Sequence, residues 1–468
     1  MAARRSGPSR FPMTQLESAD RTLHLLERGL SAAASSSTLQ WLSVPAPLLQ
    51  AESLLAAEPH ADAWYWSGGR EQEFVGIGVA KRLTAQGPER FQQLDRQLQE
   101  LWASLEPHPM IEAGAPEPRV VGGFAFQTGR SSQAPWDAFG EGQLVLPRLT
   151  YTRREDRAWL TLAAAPQELA SASERTRFLN EAAQLVANAG SGAKPEQELA
   201  PGPYELSEHS ADEWREQIDQ VKAAIASGSL QKVVLARRVL ARFARELSPA
   251  RVLSRLRESG PGAPRFAFRV NGATFIGSPP ERLLAKTGQR IETEAVAGTL
   301  PASDVGAAEH LLSDAKLLAE HAPVVRDLVE RLRPVADLQP LPERPFVHRA
   351  RHVLHLKTPI SATLRSPESA LSLLSRIHPT PAVGGYPTTP AVSFIAEHEP
   401  DERGWYAGPI GWIDSRDNAD FAVALRSGVI AGKLAHLYVG AGIVSGSDSE
   451  SELQETGWKL KVLLSALG

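Results

Sequence analysis

Residues 440–464 read GAGIVSGSDSESELQETGWKLKVLL, and this stretch governs the assignment of fold class. An apolar run interrupted by glycines closes in a glycine-rich turn, after which Ser449 and Glu452 have the spacing of a capping box. Leu453, Thr456, Leu460, Leu463 and Leu467 then recur at helical intervals, which predicts a helix over 449–467. Glu452, Glu455 and Lys459 fall at i, i+3 and i+7 on a stripe of their own. Two carboxylates one turn apart on one face can hold a hard cation such as Mg²⁺. The same spacing also describes a solvated face carrying a Glu455–Lys459 pair, and an isolated ExxE is more commonly that.

Upstream, the chain alternates between blocks of strands and blocks of helices. Strand patterns occupy 73–80 (EFVGIGVA), 120–126 (VVGGFAF), 230–240 (LQKVVLARRVL), 265–270 (RFAFRV), 272–278 (GATFIGS) and 290–298 (RIETEAVAG), with more in HVLHLKTPISATL, RGWYAGPIGWID, DFAVALRSGVI and AHLYVGAGIV. Helical periodicity marks 212–227, through Trp214, Ile218, Val221 and Ile225, and a long stretch from Ala307 to Leu332. Such segregation predicts an α+β protein and argues against a doubly wound sheet. Gly122 and Gly123 point to close sheet packing, as does GIG at 76–78, which lacks the third glycine and the helix of a nucleotide loop. A Gly/Pro-rich stretch over 187–207 divides the chain, so we expect a disordered start over 1–12, an N-terminal part over 13–206 and a C-terminal part over 207–468 that holds nearly all the motifs.

Bulk properties exclude several classes. A net charge of −4 offers no basic field for nucleic acid. No apolar run is long enough to span a bilayer. Without a single cysteine, disulfides, thiolate metal sites and cysteine nucleophiles are ruled out. The start, MAARRSGPSRFPMT, has no apolar signal core, and a cytoplasmic protein is expected.

A few polar residues sit where their surroundings give them chemical potential. Lys232 leads into an apolar strand; there a lysine commonly snorkels to water, but one drawn into a poorly solvated cleft gives up its proton more readily. Glu281 follows two prolines in FIGSPPERLL, either presented rigidly by that turn or paired on the surface with Arg282. Arg426 in DFAVALRSG would fall on one face of an apolar strand, where it needs an anion, a substrate carboxylate or a structural partner. Glu320 and His321 lie in the long helical stretch just before Pro323, which would interrupt it; taken alone, they read as a surface acid and a structural histidine.

In combination these segments resemble the chorismate-utilising enzymes. The strings that carry the resemblance are QKVVLARR, FIGSPPERLL, EAVAGT, AEH, HLKTPISATL, HPTPAVGGYP, ERGWYAGPIGW, FAVALRSG and VGAGIVSGSDSESELQETGWK, together spanning 207 to the end. YWSGGREQEFVGIGVAKR and GGFAFQ with LVLPRL look like the isochorismate synthase branch. The resemblance implies a single large chorismate-binding unit of two packed, mainly antiparallel β-sheets flanked by helices. It implies an isomerase, serving menaquinone or siderophore synthesis, whose site lies between sheet strands and the final helix.

The resemblance also implies roles. Lys232 matches the family's general base for water, where the aminating branch has glutamine and a glutaminase partner; no glutaminase subunit is expected. Glu281 matches the general acid. Ala382 stands where salicylate and anthranilate synthases have threonine, which implies a reaction that stops at isochorismate; salicylate synthesis, or chorismate binding without turnover, are the alternatives. Mg²⁺ would be held through Glu320, Glu452 and Glu455. Arg426, Tyr406 and the Gly440–Gly442 turn match positions around the enolpyruvyl carboxylate, and Lys459, Thr299 and His355 match others around the ring and the metal. Where the family has an acid three residues before Glu320, this chain has Leu317, which implies weaker metal binding or a rearranged shell. A monomer or a homodimer is compatible with all of this.

Overall fold

Alternation decides which faces of the sheet are buried twice. The computed structural model describes residues 15–68, 72–108, 111–112, 114–129, 134–190, 201–259, 262–349 and 353–468; the start expected to be disordered and the middle of the 187–207 stretch lie outside them. Among these residues every strand pairing is antiparallel except that of Leu39–Pro45 with Leu105–Pro107. One layer runs from Gln72–Ala85 through Ala63–Ser67, Arg265–Val270, Ala273–Gly277, Ser427–Ala431 and Leu434–Ile443 to Lys232–Phe243, with Tyr204–Glu208 at its edge. The other runs from Gly142–Arg154 through Arg119–Phe124, Pro409–Asp414, Ala419–Val423, Arg282–Thr287 and Arg290–Pro301 to Val353–Leu364. The long strands Gln72–Ala85 and Gly142–Arg154 pair with each other and join the two.

The layers pack face to face. Trp64, Trp66, Phe266, Phe268 and Phe275 of the first meet Leu284, Ile291, Ile410 and Phe421 of the second in one core. One residue along, Tyr65, Ala267, Ile276, Ile430 and Leu437 turn to the opposite face, where helices contribute Leu30, Phe178, Leu253, Leu256 and Leu463. Period-2 alternation thus feeds two cores at once, each fully buried large side chain contributing about 1.5–3 kcal/mol. The expected α+β architecture of two packed, mainly antiparallel sheets flanked by helices is what the chain adopts. Strands from before and after residue 206 share both layers, so the N-terminal part is built into the same cores as the C-terminal part.

Local departures have local causes. The helical stretch over 307–332 is two helices, Ala307–Ser313 and Ala315–Leu332, because the Asp314 side chain accepts the Leu317 N–H and starts a new N-terminus. The second helix continues through Pro323, contrary to the expected interruption; the ring is buried, and the cost is one missing donor for the Ala319 carbonyl. The final helix spans Ser449–Leu467, but its N-cap is Asp448, which accepts from Ser451, and not Ser449. Glu452 is therefore released from the expected capping box. The glycines at 440 and 442 lie inside the strand Leu434–Ile443, opposite Ala236 and Val234, and not in a turn.

Candidate active site

A cleft opens between the ends of the two layers and the C-terminal helix. Glu281, Thr299, Glu320, His355, Ala382, Tyr406, Arg426, Gly440, Gly442 and Lys459 all line it. Lys232, Glu452 and Glu455 are not in its wall but stand immediately behind it.

Lys232 begins the strand Lys232–Phe243 and is 1% exposed. Its Nζ lies 3.3 Å from Glu320 Oε1 and 3.3 Å from the Glu320 carbonyl oxygen. Across the strand pair, a Cβ at Gly442 would crowd Lys232 Cε at 3.0 Å and overlap the Glu320 carboxylate. Glycine is needed at 442 because the Lys232 and Glu320 side chains occupy the space a methyl group would fill. The surface-snorkelling alternative for Lys232 is thereby excluded.

Glu281 is placed by the Ser278–Pro279–Pro280 turn just ahead of the strand Arg282–Thr287. It is 1% exposed, and its Oε1 has no hydrogen-bond partner among the described residues. Its carbonyl accepts from Val423 N at 3.1 Å. Arg282, the alternative surface partner, instead pairs with Asp420 at 3.0 Å. Burial, then the neighbouring Glu294 carboxylate, push the Glu281 carboxyl well above the usual range, against the opposing pull of Lys232 and Lys357. Both causes favour the protonated form of Glu281.

Arg426 does not sit within a strand, as alternation suggested. It occupies the bend between Ala419–Val423 and Ser427–Ala431 with φ of 48°, in the left-handed region that disfavours a residue with a Cβ. That backbone turns the guanidinium into the cleft, where one N–H meets His355 Nε2. Among the described residues no carboxylate pairs with it, and burial lowers its pKa to about 10. His355 is kept neutral, chiefly by burial and next by Arg426. Because Nε2 accepts from Arg426, the ring proton resides on Nδ1, 3.1 Å from Thr299 Oγ1. Thr299 then accepts from the ring and keeps its own hydroxyl proton to donate. This pair depends on a bulge: the register of Arg290–Pro301 against Val353–Leu364 shifts at Gly298, whose φ is 77°, and brings Thr299 directly opposite His355.

The three carboxylates on helices are each closed on a lysine. Glu455 pairs with Lys459 at 2.6 Å, Glu452 with Lys316 at 2.8 Å, and Glu320 with Lys232. Lys459 also donates to the Gly440 carbonyl at 2.8 Å, tying the final helix to the glycine strand. Burial raises the Glu455 pKa, and the charges of Glu320 and Glu452 add to it. For Lys316 burial opposes the charge, but the bond to Glu452 holds the ammonium above its usual value. Like-charged hard oxygen donors crowded in this way suit a divalent cation chemically. As they stand, no three acidic or histidine side chains among the described residues are grouped to grip one ion directly.

Leu317 does not reach these acids. It packs with Leu311, Leu354 and Leu356 in a small apolar cluster. His321 is the structural histidine expected: buried, bonded to Thr358 Oγ1 at 2.8 Å, and lowered by desolvation to a pKa of about 4.

Sequence reasoning missed several neighbours. Tyr438 lines the cleft and stacks on Tyr406 with ring centroids 5.4 Å apart. Its hydroxyl accepts from Trp136 Nε1 at 2.9 Å, an N-terminal residue braced against the site. Tyr438 lies two residues before Gly440, so strand alternation alone places both on one face. Lys316 and Glu294 carried no comparable signal.

A family model described as chorismate binding enzyme matches residues 28–468. Isochorismate synthase MenF of Bacillus subtilis is 33% identical over 417 residues, 86% of this chain and 88% of that protein. The salicylate biosynthesis isochorismate synthase of Pseudomonas aeruginosa is 33% identical over 411 residues, 86% of this chain and 84% of its own length. Among solved structures, MenF, the menaquinone-specific isochorismate synthase from Escherichia coli, superposes with a TM-score of 0.78 at 31% identity, covering 96% of this chain and all of that one.

Proposed function

The chain belongs to the chorismate-binding enzyme family, in its isochorismate-synthase branch, and on that footing we propose that it converts chorismate to isochorismate with Lys232 as general base and Glu281 as general acid. The observation that carries this reading is a buried lysine set behind a cleft whose wall holds both a buried carboxyl inclined to keep its proton and an arginine without an acid. Lys232 pairs with Glu320 and not with Glu281, whose Oε1 has no hydrogen-bond partner among the described residues.

Arg426 takes one substrate carboxylate, its fork fixed by His355. Thr299, with its hydroxyl proton free to donate, and the Tyr406 ring orient the remaining oxygens. Lys232 accepts a proton from a water molecule as that water bonds to ring carbon C2. The ring double bonds shift and the C4–oxygen bond breaks, while Glu281 gives its proton to the departing hydroxyl. One water enters and one leaves, so the reaction is an isomerisation. At its end Lys232 is an ammonium and Glu281 a carboxylate, and the proton must return from one to the other before the next turnover.

Glu320, Glu452 and Glu455 are the residues that would hold Mg²⁺. Bound there, the ion would supply positive charge for the ring carboxylate and relieve the mutual repulsion of the three acids. Ala382 is small and lines the cleft, in keeping with a reaction that ends at isochorismate.

Incubating the purified protein with chorismate, with and without Mg²⁺, and separating the products tests the proposal. Isochorismate as sole product is expected. Salicylate with pyruvate would move the assignment to salicylate synthesis, and unchanged chorismate would refute turnover.

A further inference from the structure

The general acid is carried on a turn, and something must hold that turn still. Glu294 does so from the adjacent strand. Its Oε1 accepts the backbone N–H of Arg282, the residue following Glu281, at 2.7 Å. Its Oε2 pairs with Lys357 on the next strand over. Glu294 lies opposite Pro359, so Lys357 is its diagonal cross-strand neighbour, two positions along on the same face. The Glu294 side chain is 13% exposed and that of Lys357 26%, so neither is a freely solvated surface group. A plain structural salt bridge needs only its two charges; this carboxylate spends one oxygen on the peptide that carries the proton donor.

We propose that Glu294, clamped by Lys357, is the positioning residue for Glu281: it fixes the backbone from which the acid projects and sets a negative charge beside it. This rests on the general-acid role of Glu281 proposed above. The charged groups facing that carboxyl are Glu294, Lys357 and Lys232, with Glu320, Arg426 and Lys459 elsewhere in the wall of the cleft and His355 neutral among them. Only Glu294 is both bonded to the Glu281–Arg282 backbone and of a sign that favours retention of the proton. Removing its charge leaves Lys357 unneutralised, and both changes favour loss of the proton from Glu281.

Two substitutions separate position from charge. In Glu294→Gln the amide oxygen still accepts the Arg282 N–H while the charge is gone; in Glu294→Ala both are lost. Glu294→Ala should lower kcat by about a hundredfold with KM nearly unchanged, the penalty of a displaced catalytic group. Glu294→Gln should recover much of kcat at low pH, and its high-pH limb should fall at lower pH than in the parent. An activity-independent measurement is the carboxylic-acid C=O stretch of Glu281, isolated by infrared difference against Glu281→Gln. That band should disappear at lower pH in Glu294→Gln. An unmoved band, or kcat and its pH limb matching the parent in both variants, overturns the proposal. Should the parent protein leave chorismate unchanged, the reaction assignment falls while the infrared titration still decides the role of Glu294.

Discussion

Replacing Gly442 with alanine tests the geometry of the proposed base without touching either catalytic side chain. A Cβ there would stand 3.0 Å from Lys232 Cε and 3.1 Å from Glu320 Cδ, and would overlap Glu320 Oε1. Ordinary contact begins near 3.4 Å. The obstructing atoms are ends of side chains and not backbone, so Glu320 and Lys232 yield while the strand stays. Relieving the overlap moves the carboxylate by about 1 Å, enough to break its 3.3 Å approach to Lys232. A displacement of that size at a reacting group costs on the order of a hundredfold in rate, about 2.7 kcal/mol in the barrier. Gly442 has no positive φ, so alanine adds no backbone strain, and opening the buried Lys232–Glu320 pair should lower folding stability by about 3 kcal/mol. Gly440→Ala is the comparison in which the clash falls on backbone: its Cβ would meet the Leu235 carbonyl oxygen of the paired strand at 2.7 Å. Steady-state kinetics of isochorismate formation, alongside thermal melting, report the cost of each to turnover and to stability. A Gly442→Ala protein within about threefold of parental kcat/KM would refute the placement of Lys232 and Glu320 in the chemistry.

Glu281→Gln should abolish turnover and stabilise the fold increasingly as pH rises. The carboxyl's folded pKa lies above its unfolded value, so its contribution is present in acid and is lost as pH climbs from the ordinary carboxylate range through the raised value; a constant difference in melting temperature across that window would contradict this. Arg426→Gln should raise KM for chorismate by about 10- to 100-fold, the worth of a charge-assisted bond in a buried site, and an unchanged KM would remove Arg426 from substrate binding. Leu317→Asp should cost at least about 3 kcal/mol in chemical denaturation, because it puts a charge into an apolar cluster. A stable variant with tighter Mg²⁺ binding would restore the view that an acid belongs there. Glu399→Gln should be comparably destabilising, about 3–5 kcal/mol, since its carboxylate bonds buried Arg403 at 2.7 Å and the Ala236 N–H at 2.8 Å.

How much of this was readable depended on the range of the interactions concerned. The strands and the final helix are governed by period-2 and period-3.6 patterns, which are local, and their positions hold. Helix ends were less legible, since Asp448 and Ser449 are both good caps and Asp314 competes with a continuous apolar periodicity. Residue type alone does not decide among them. Arg426 was legible as a residue in need of an anion but not in its backbone, because alternation says nothing of a left-handed bend. Burial of Lys232 and Glu281 depends on strands more than a hundred residues away in sequence, so the roles proposed for them come only through the resemblance of the surrounding strings. Lys316 and Glu452 meet across 136 positions of sequence, and nothing local to either marks the pair.

The pairing of the cations bears on the divalent ion proposed for the site. Lys232, Lys316 and Lys459 are committed to Glu320, Glu452 and Glu455, one to one. Burial and Glu294 favour the neutral form of the Glu281 carboxyl. Arg426 alone among these groups has positive charge with no acid to receive it. Chorismate, the proposed substrate, has two carboxylates, and in the proposed reaction Arg426 answers one. The second can be met by stripping a lysine from its glutamate, which leaves a buried carboxylate uncompensated at a cost of several kcal/mol. It can instead be met by an added dication, which satisfies the incoming carboxylate and the displaced glutamates together. A proton shuttle between Lys232 and Glu281 requires the first to be free of a permanent counter-charge, and Glu320 is that counter-charge. In the proposed reaction substrate neutralisation and release of the base are thus demands on the same carboxylate, Glu320, which lies at the junction of the lysine, the glycine strand and the cleft.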